Sequence, residues 1–326
     1  MPLPEKALIA QIRRAAKRTK NPALQASIGD DCAILRQPTF AGKTADILVT
    51  TDFTLEGIHF RRNWHSPESV GHRCLARGLS DIAAMGGDPI AAFLSLALPR
   101  DLPQIWVSRF ITGLLSLAEK YGVTLAGGDT AESPNGILAD IIVVGAVPKG
   151  EALLRSGARP GDCIYVSGAL GGSAAAVVAM QKNPNHTLNP RDYPRHFFPE
   201  PRIELGRILR QKKLASATID TSDGLSTDLA HICEESGVGA ELQADAIPRA
   251  CVGKPSHQVD LQLALHGGED YELLFTAPPN QLIPRRIAGI PITQIGRIKR
   301  RRAIVLNHEG VTRKLKPQGW QHFQKA

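Results

Sequence analysis

The chain has 326 residues and a mass of 35.1 kDa, which is enough for about two domains with separate cores and excludes a small disulfide scaffold. Apolar residues at 43% and charged residues at 21% exclude a disordered or fibrous protein. The formal charge of +8 comes partly from basic runs within 13–20 and 297–302. Such runs are typical of solvated faces, so we expect no nucleic-acid partner, and the charge also suits the attraction of small anionic substrates.

Short apolar or β-branched runs in the first half of the chain predict buried strands at 47–51, 91–98, 123–126 and 140–147. Ser66 before Pro67 predicts the start of a helix, which is expected to run to Met85, where two glycines follow. A second helix is expected over 103–121 and is closed by Gly122. Together these elements make a first α/β unit.

A turn-rich stretch at 150–162 predicts the boundary between two domains, 1–150 and 151–326. Five prolines within 183–201 predict a long loop. The other elements expected in this half are a strand at 163–168, helices at 173–180 and 222–236, and strands at 272–278, 292–298 and 303–307.

The cysteines form an odd number with no CxxC pair, which predicts a reduced, cytoplasmic protein without a zinc site; they are Cys32, Cys74, Cys163, Cys233 and Cys251. We expect no secretory signal, because the N-terminal charges are not followed by a long apolar segment. We also expect no membrane partner, because no apolar run approaches the roughly 18 residues that span a bilayer.

Carboxylates recur beside glycine or small polar residues at the predicted ends of elements. The six motifs are Gly29-Asp30-Asp31, Thr50-Thr51-Asp52, Ser80-Asp81, Gly127-Gly128-Asp129, Asp220-Thr221-Ser222-Asp223-Gly224 and Gly267-Gly268-Glu269-Asp270. Asp52 and Asp129 directly follow strands, where ligands gather in open α/β sheets. Asp81 lies close to the helix face of Cys74, so its carboxylate is expected to lean inward.

Convergence of these carboxylates in one cleft would require cations. Two carboxylates about 4 Å apart repel by about 4 kcal/mol at an effective dielectric constant of about 20, so several together would oppose folding. The donor set contains only oxygen, with hydroxyls at Thr50, Thr51 and Ser222, and this favours Mg²⁺. Glycine turns, whose backbone N–H groups can approach anions, suit a nucleoside triphosphate in the same cleft.

Each motif also has a structural interpretation. Asp beside Gly is common in turns, and Asp223 could begin the helix that follows it. Arg77 stands one turn before Asp81, a pair worth only about 0.3–0.5 kcal/mol if it is exposed. His59 could equally contact a substrate or hydrogen-bond within its loop. The glycines within 168–172 lack the GxGxxG spacing of a dinucleotide loop and indicate close helix packing or a phosphate contact.

Eight segments, taken in order, closely resemble the thiamine-monophosphate kinase family: SIGDDCAIL (27–35), TTDFTLEGIHF (50–60), LSDIAAMGGDP (79–89), GGDT (127–130), LLRSGARPGD (153–162), DTSDGLSTDL (220–229), GGEDYEL (267–273) and GWQHF (319–323). That family belongs to the aminoimidazole-ribonucleotide synthetase superfamily. The resemblance implies a two-domain PurM-like α/β (α+β) fold, in which an N-terminal mixed-sheet domain forms the barrel of a homodimer and a C-terminal α/β domain completes the site. It also implies transfer of the ATP γ-phosphoryl group to thiamine monophosphate.

The resemblance assigns a role to each matching residue. The ligands of several Mg²⁺ ions would be Asp30, Thr50, Thr51, Asp52, Asp81, Asp129, Asp220 and Asp223. ATP, the co-substrate, would be bound by Gly128, Asp129, Arg155 and Ser222, and thiamine monophosphate by His59, Glu269 and Trp320. No side chain is expected to act as a covalent catalyst, because phosphoryl transfer depends mainly on in-line positioning and neutralisation of phosphate charge.

The chain departs from the family at Gly78, where an asparagine is usual, and only Tyr121 lies near the place of an adenine-stacking tyrosine. Two alternatives remain open. One is another ATP-dependent enzyme of the same superfamily, such as a selenophosphate synthetase or an aminoimidazole-ribonucleotide synthetase, which substrate profiling would separate. The other is a nucleotide-binding regulatory protein without catalysis, which would bind ATP and magnesium but phosphorylate nothing.

Overall fold

The computed structural model describes residues 24–26, 33–36, 44–185, 187–320 and 323. Its helices are α1 (Pro67–Ala84), α2 (Gln104–Lys120), α3 (Gly172–Lys182), α4 (Pro194–Phe197), α5 (Ile203–Gln211), α6 (Leu225–Ser236) and α7 (Leu261–His266). The strands up to residue 148 are β1 (Leu24–Ala26), β2 (Ala33–Arg36), β3 (Ala45–Leu55), β4 (Asp88–Leu98), β5 (Thr124–Glu132) and β6 (Leu138–Pro148). Those that follow are β7 (Cys163–Ser167), β8 (Ala217–Asp220), β9 (Gly239–Gln243), β10 (Cys251–Val252), β11 (His257–Gln258), β12 (Leu273–Ala277), β13 (Arg286–Ile287), β14 (Ile290–Lys299), β15 (Ile304–His308) and β16 (Val311–Lys314).

The first sheet has the strand order β1-β2-β3-β6-β4-β5, and its pairs are antiparallel except β4 with β5. Helices α1 and α2 cover one face of it, because every second residue of β6 from Ala139 to Val147 is buried beneath them. As predicted, Ser66 caps α1 by accepting the Ser69 N–H, and Pro67 occupies the first turn. This mixed sheet therefore presents one covered face and one open face.

The second sheet runs β16-β15-β9-β14-β7-β12-β8, with β13 added beside β14. Only β9 and β15 are parallel neighbours. Its core includes Leu225, Leu229 and Ile232 of α6, the apolar face that the sequence predicts for this helix. The helix begins three residues later than predicted, at Leu225, because Gly224 is its N-cap with a φ of +113°.

Helix α5 connects the two halves of the chain. Its residues Ile203, Leu205 and Leu209 belong to the core of the first sheet. A Cβ atom placed on Gly206 would lie 1.9 Å from the Ala83 carbonyl oxygen, so the backbones of α5 and α1 are in direct contact. The C-terminal half of the chain therefore contributes to the core that carries Asp81.

The main strands and long helices that the sequence predicts are confirmed in type, and their ends shift by a few residues. Elements that were not predicted from the sequence include α5, α7, β8, β9 and β16. The proline-rich loop at 183–201 contains the single turn of α4, which buries Phe197. No helix in the described part of the chain is long and apolar enough to cross a membrane.

Candidate functional site

A cavity of about 780 Å³ lies between the two sheets, and four of the predicted acidic motifs contribute to its wall. The predicted site residues that line it are Asp52, His59, Asp81, Asp220, Ser222, Asp223, Glu269 and Trp320. Its other polar or charged lining residues are Arg77, Ser173, Gln262, His266, Tyr271 and Gln318. Residues separated by up to 268 positions in the sequence thus line one cavity.

Helix α1 supplies one wall. Asp81 faces β3, where the Thr50 hydroxyl donates a short hydrogen bond to its carboxylate. The neighbouring Ser80 hydroxyl donates to the Asp220 carboxylate at 2.6 Å, across to the end of β8. Two acids from distant parts of the chain, Asp81 and Asp220, are therefore hydrogen-bonded beside the same turn of α1.

Strand β3 divides its predicted ligands between the two faces of the sheet. Thr50 is buried on the helix-covered face and Asp52 lines the cavity, whereas Thr51 is exposed on the open face. The Thr51 hydroxyl donates to the Asp140 carboxylate at 2.6 Å. Adjacent side chains in a strand point in opposite directions, so the side chains of Thr51 and Asp52 cannot face the same space.

Gly128 and Asp129 also lie away from the cavity, on the exposed edge strand β5. Asp129 pairs with Ser95 of β4, and Ser95 pairs with Asp140 of β6, so the register places Asp129 on the open face with Thr51. Three strand spacings separate β5 from β3, a distance of about 14 Å. Within one chain, Asp129 and Asp52 therefore stand on different faces of the sheet.

Two segments supply the acids of the second sheet: residues 221–223, which follow β8, and residues 267–271, which precede β12, and the two pair irregularly. The Glu269 N–H donates to the Ser222 carbonyl at 2.8 Å, and the Tyr271 N–H donates to the Thr221 carbonyl at 3.0 Å. Glu269 has a φ of +63°, which is a strained conformation for a residue with a side chain. A Cβ on Gly268 would lie 2.5 Å from the Ser222 carbonyl oxygen, so this close pairing requires glycine there.

Glu269 is held by two arginines of α1. Arg73 donates to its carboxylate at 2.7 Å, and Arg77 donates at 3.3 Å. Burial alone would raise the pKa of Glu269, but Arg73 and Arg77 together keep it below its usual value. Arg77 also approaches Asp52 at 3.6 Å. Asp52 lies within β3 rather than directly after it as predicted, and Arg77 joins its carboxylate to that of Glu269 from the second half of the chain.

Behind Glu269 lies a buried pair of histidines, His65 and His196, whose Nε2 atoms are 2.9 Å apart. Arg73 reaches both Nε2 atoms at 3.1 Å, and His196 Nδ1 contacts the Ser173 hydroxyl at 2.9 Å. Burial, reinforced by the charge of Arg73, lowers the pKa of His65 to about 3 and that of His196 well below its usual value. Both rings are therefore neutral at physiological pH.

Two of the three predicted substrate residues, His59 and Trp320, are held by hydrogen bonds with backbone groups. His59 Nδ1 accepts the Leu55 N–H at 2.9 Å, which places the proton of the neutral ring on Nε2. The Trp320 N–H donates to the Asp223 carbonyl at 3.1 Å, so the C-terminal segment is attached at the start of α6. The indole remains 52% exposed at the mouth of the cavity.

The glycine-rich turn before α3 contains a carboxylate. Asp270 accepts the backbone N–H groups of Gly171 at 2.6 Å and Ser173 at 3.2 Å. Burial raises the pKa of Asp270 to about 7 despite these two bonds. Of the two explanations that the sequence leaves for these glycines, the structure supports close packing, because Asp270 occupies the helix N-terminus that a phosphate would need.

Several sequence predictions fall elsewhere. Asp30 lies outside the described residues. Arg155 does not line the cavity; its charge acts on Asp228, a buried acid whose pKa is raised well above its usual value by burial and by Asp223 and Asp220. Tyr121 donates its hydroxyl to the Pro201 carbonyl at 2.9 Å, away from the cavity.

The departure at Gly78 has a steric reason. A Cβ at this position would lie 2.6 Å from Val143 Cγ2 on β6, so α1 and the sheet approach each other too closely for an asparagine. The N-cap of α6 is Gly224 rather than Asp223, and the Gly224 N–H donates to the Asp228 carboxylate at 2.9 Å. The structural interpretation that Asp223 begins the helix is therefore wrong.

The described residues fit magnesium when phosphate is present. The donors are carboxylates and hydroxyls, and four carboxylates, Asp52, Asp81, Asp220 and Asp223, face one cavity. No three metal-binding side chains in the ranges that the structure covers are grouped closely enough to hold an ion by themselves. Magnesium usually takes one or two carboxylates and completes its six ligands with water and substrate phosphate, so this spacing suits it better than a closed protein cage would.

Arg73, Arg77 and the apolar part of the cavity wall were not predicted from the sequence; that part consists of Ala174, Val177 and Val178 of α3 and Leu263 of α7. Both arginines lie on the same face of α1 as Asp81, at intervals of four residues, and this spacing was the available signal. Arg77 was considered there only as an exposed partner of Asp81. The structure directs it to Asp52 and Glu269, which no local pattern connects to it.

Comparison with known proteins gives consistent results for the whole chain. Residues 29–147 match the N-terminal domain model of the AIR synthase related proteins, and residues 159–308 match the C-terminal domain model. The thiamine-monophosphate kinase of Salmonella typhimurium is 39% identical over 284 residues, 84% of each chain, and that of Bacillus subtilis is 34% identical over 312 residues, 93% of this chain and 94% of the other. AaThiL complexed with AMPPCP and TMP has a TM-score of 0.82 at 32% identity and covers 98% of this chain and 97% of its own. The chain therefore belongs to the AIR synthase related family and, within it, to the thiamine-monophosphate kinases.

Proposed function

We propose that this chain transfers the γ-phosphoryl group of ATP directly to thiamine monophosphate and forms thiamine diphosphate with the help of magnesium. The observation that carries the proposal is the shared cavity, where Asp52, Asp81, Asp220 and Asp223 stand together with the three residues expected to contact thiamine. The similarity to AaThiL complexed with AMPPCP and TMP, an ATP analogue and a monophosphate, supports these two substrates.

Magnesium would be held by the four carboxylates of the cavity. The family resemblance suggests Asp30, Thr50, Thr51 and Asp129 as further ligands, of which Thr51 and Asp129 lie on the opposite face of the sheet within one chain. When bound, magnesium supplies neutralisation of the phosphate charge. Ser222 in the cavity would bind ATP. The family resemblance adds Arg155, Gly128 and Asp129 as ATP contacts, although none of these three lines the cavity of its own chain.

The protein binds thiamine with complementary side chains. Glu269 stays ionised because of its two arginines and can attract the cationic ring of thiamine. Trp320 can stack on that ring at the mouth of the cavity. His59 Nε2–H can donate to an acceptor of the substrate, since its other nitrogen is occupied by Leu55.

We infer that residues 1–150 form the nucleotide-binding and dimerising domain and that residues 151–326 complete the site. The open face of the first sheet supports a homodimer, because it exposes Phe53 at 54%, Ile90 at 50% and Phe93 at 37%. Thr51 and Asp129 stand on the same face, which a second copy would cover. Sedimentation of the full chain should give the mass of two chains, and Phe93→Glu should give one; a monomeric wild type would refute the dimer.

An assay that couples thiamine diphosphate formation to a reporter enzyme tests the reaction. With millimolar thiamine monophosphate, ATP and Mg²⁺, the wild type should form thiamine diphosphate, and the absence of this product would refute the proposal. Asp52→Asn should lose activity by orders of magnitude while the protein remains folded, and Asp101→Asn, which alters an exposed acid outside the cavity, is the matched control. Direct transfer predicts inversion at a chiral γ-phosphorus, whereas retention would indicate a phosphoenzyme.

A further inference from the structure

Arg77 is the one Lys or Arg side chain among the described residues that line the cavity. Apart from the histidines, the other titratable residues that line the cavity and carry a charge at neutral pH are all acidic: Asp52, Asp81, Asp220, Asp223 and Glu269. A substrate that brings a phosphate into this space therefore meets a single fixed positive charge from the protein. Arginine remains protonated at any physiological pH, so that charge is permanent.

The hydrogen-bonding capacity of Arg77 is largely unused. A guanidinium has five N–H donors, and within the described chain only one hydrogen bond, from NH1 to Glu269 at 3.3 Å, uses them. Its Nε is buried without a hydrogen bond and lies 3.6 Å from Asp52 Oδ1, beyond normal bonding distance. Donors left unsatisfied in a buried position are costly, and the cost is removed when an acceptor enters the cavity.

The position of Arg77 decides which acceptor it would meet. The guanidinium lies between Asp52 of β3, where magnesium and the transferred phosphate would be, and Glu269, which would contact thiamine. A phosphate attached to the thiamine body has to pass between these two carboxylates to reach the metal. A planar guanidinium can hold a carboxylate and a phosphate oxygen at the same time.

We propose that Arg77 binds the phosphate group of the acceptor substrate and thereby orients its attacking oxygen toward ATP. The inference rests on the proposed function and adds a residue that selects phosphorylated thiamine over thiamine itself. Arg77 would be a specificity-determining residue, because it contacts the one group by which the two compounds differ.

Calorimetric titration of the full chain with thiamine monophosphate and with thiamine, in Mg²⁺ and without ATP, tests the assignment. Because Arg77 also bonds Glu269, the ratio of the two affinities is the readout: Arg77→Met should weaken the binding of thiamine monophosphate relative to that of thiamine about 10- to 100-fold, as expected for a lost charge-assisted bond. Arg77→Lys should give an intermediate loss, since it keeps the charge without the planar fork. Because each variant is its own reference, a general distortion of the cavity would weaken both ligands alike and would overturn the assignment.

Arg62→Met is the matched control, because Arg62 pairs with Glu56 at the surface, away from the cavity; its ratio of the two affinities should stay at the wild-type value. An unchanged ratio in Arg77→Met, with both ligands bound, would refute the role of Arg77 alone. If the wild type binds neither compound, the proposed function and this inference both fail. Weaker binding of a nucleotide with no change for thiamine monophosphate would place Arg77 on ATP and would also overturn the inference.

Discussion

Arg73→Met should destabilise the protein strongly, because Arg73 is the centre of a buried charged cluster. Its side chain is 5% exposed, donates to Glu269 at 2.7 Å and to the His59 carbonyl at 3.1 Å, and contacts the Nε2 atoms of the two buried histidines. Removing one partner of a buried ion pair costs about 3–5 kcal/mol. We expect the free energy of unfolding to fall by about 3 kcal/mol, at the lower end of this range, because Glu269 still has Arg77 as a partner and the Glu269 side chain is 25% exposed.

The measurement is the free energy of unfolding in urea at neutral pH, with Arg100→Met as the matched control. Arg100 pairs with Glu132 at 3.3 Å, but the two side chains are 86% and 61% exposed, so the pair contributes less than about 1 kcal/mol. Equal losses in the two variants would refute the argument that burial makes the Arg73 contacts strong. The pKa of Glu269 should also rise in Arg73→Met, because Arg73 is the main charge that lowers it.

Three further predictions concern pH, packing and thiol chemistry. Since burial lowers the pKa of His65 to about 3 and that of His196 well below its usual value, the unfolded chain binds more protons than the folded one as the pH falls below about 6.5. The unfolding free energy should therefore drop by about 2 kcal/mol in total for each histidine between pH 7 and 5, and a flat profile would contradict this. Gly71→Ala should lower the free energy of unfolding in urea by about 1–3 kcal/mol, because the added Cβ would lie 1.9 Å from the Phe110 carbonyl oxygen where α1 crosses α2. The loss is expected although alanine favours helices, and a stabilised variant would rule out that contact. Ser116→Ala, on the exposed face of α2, is the control and should be nearly neutral. In the folded protein, iodoacetamide should modify Cys251 and leave Cys74, Cys163 and Cys233 unmodified, as measured by peptide mass spectrometry. Burial protects these three thiols and raises the pKa of Cys74 and Cys233 to about 12. Modification of Cys74 before unfolding would disprove its burial.

Much of the secondary structure was predictable because it depends on local patterns. A few neighbouring residues are enough to predict the alternating burial of β6, the Ser66 cap with Pro67 and the apolar face of α6. Helix α5 was not predicted, because its sequence gave no start signal that stood out from the preceding prolines. Its apolar face packs on α1 of the other half of the chain, and that partner is visible only in three dimensions.

The candidate site divides in the same way. The sequence identified oxygen donors beside glycines as the features that matter, and eight of the predicted site residues line one cavity. It could not reveal that Thr51 and Asp129 stand on the opposite face of the sheet, since that depends on strand register and pairing order.

The amino-acid sequence alone determined the residue types, their local elements and the chemistry that carboxylates without histidine or cysteine partners favour. Only the tertiary structure decided that Arg73 and Arg77, spaced as ordinary surface cations of a helix, are directed to an acid 196 and 192 positions away. The physical reason is that burial, and with it the strength of a charge, is a property of everything packed around a side chain rather than of its neighbours along the chain.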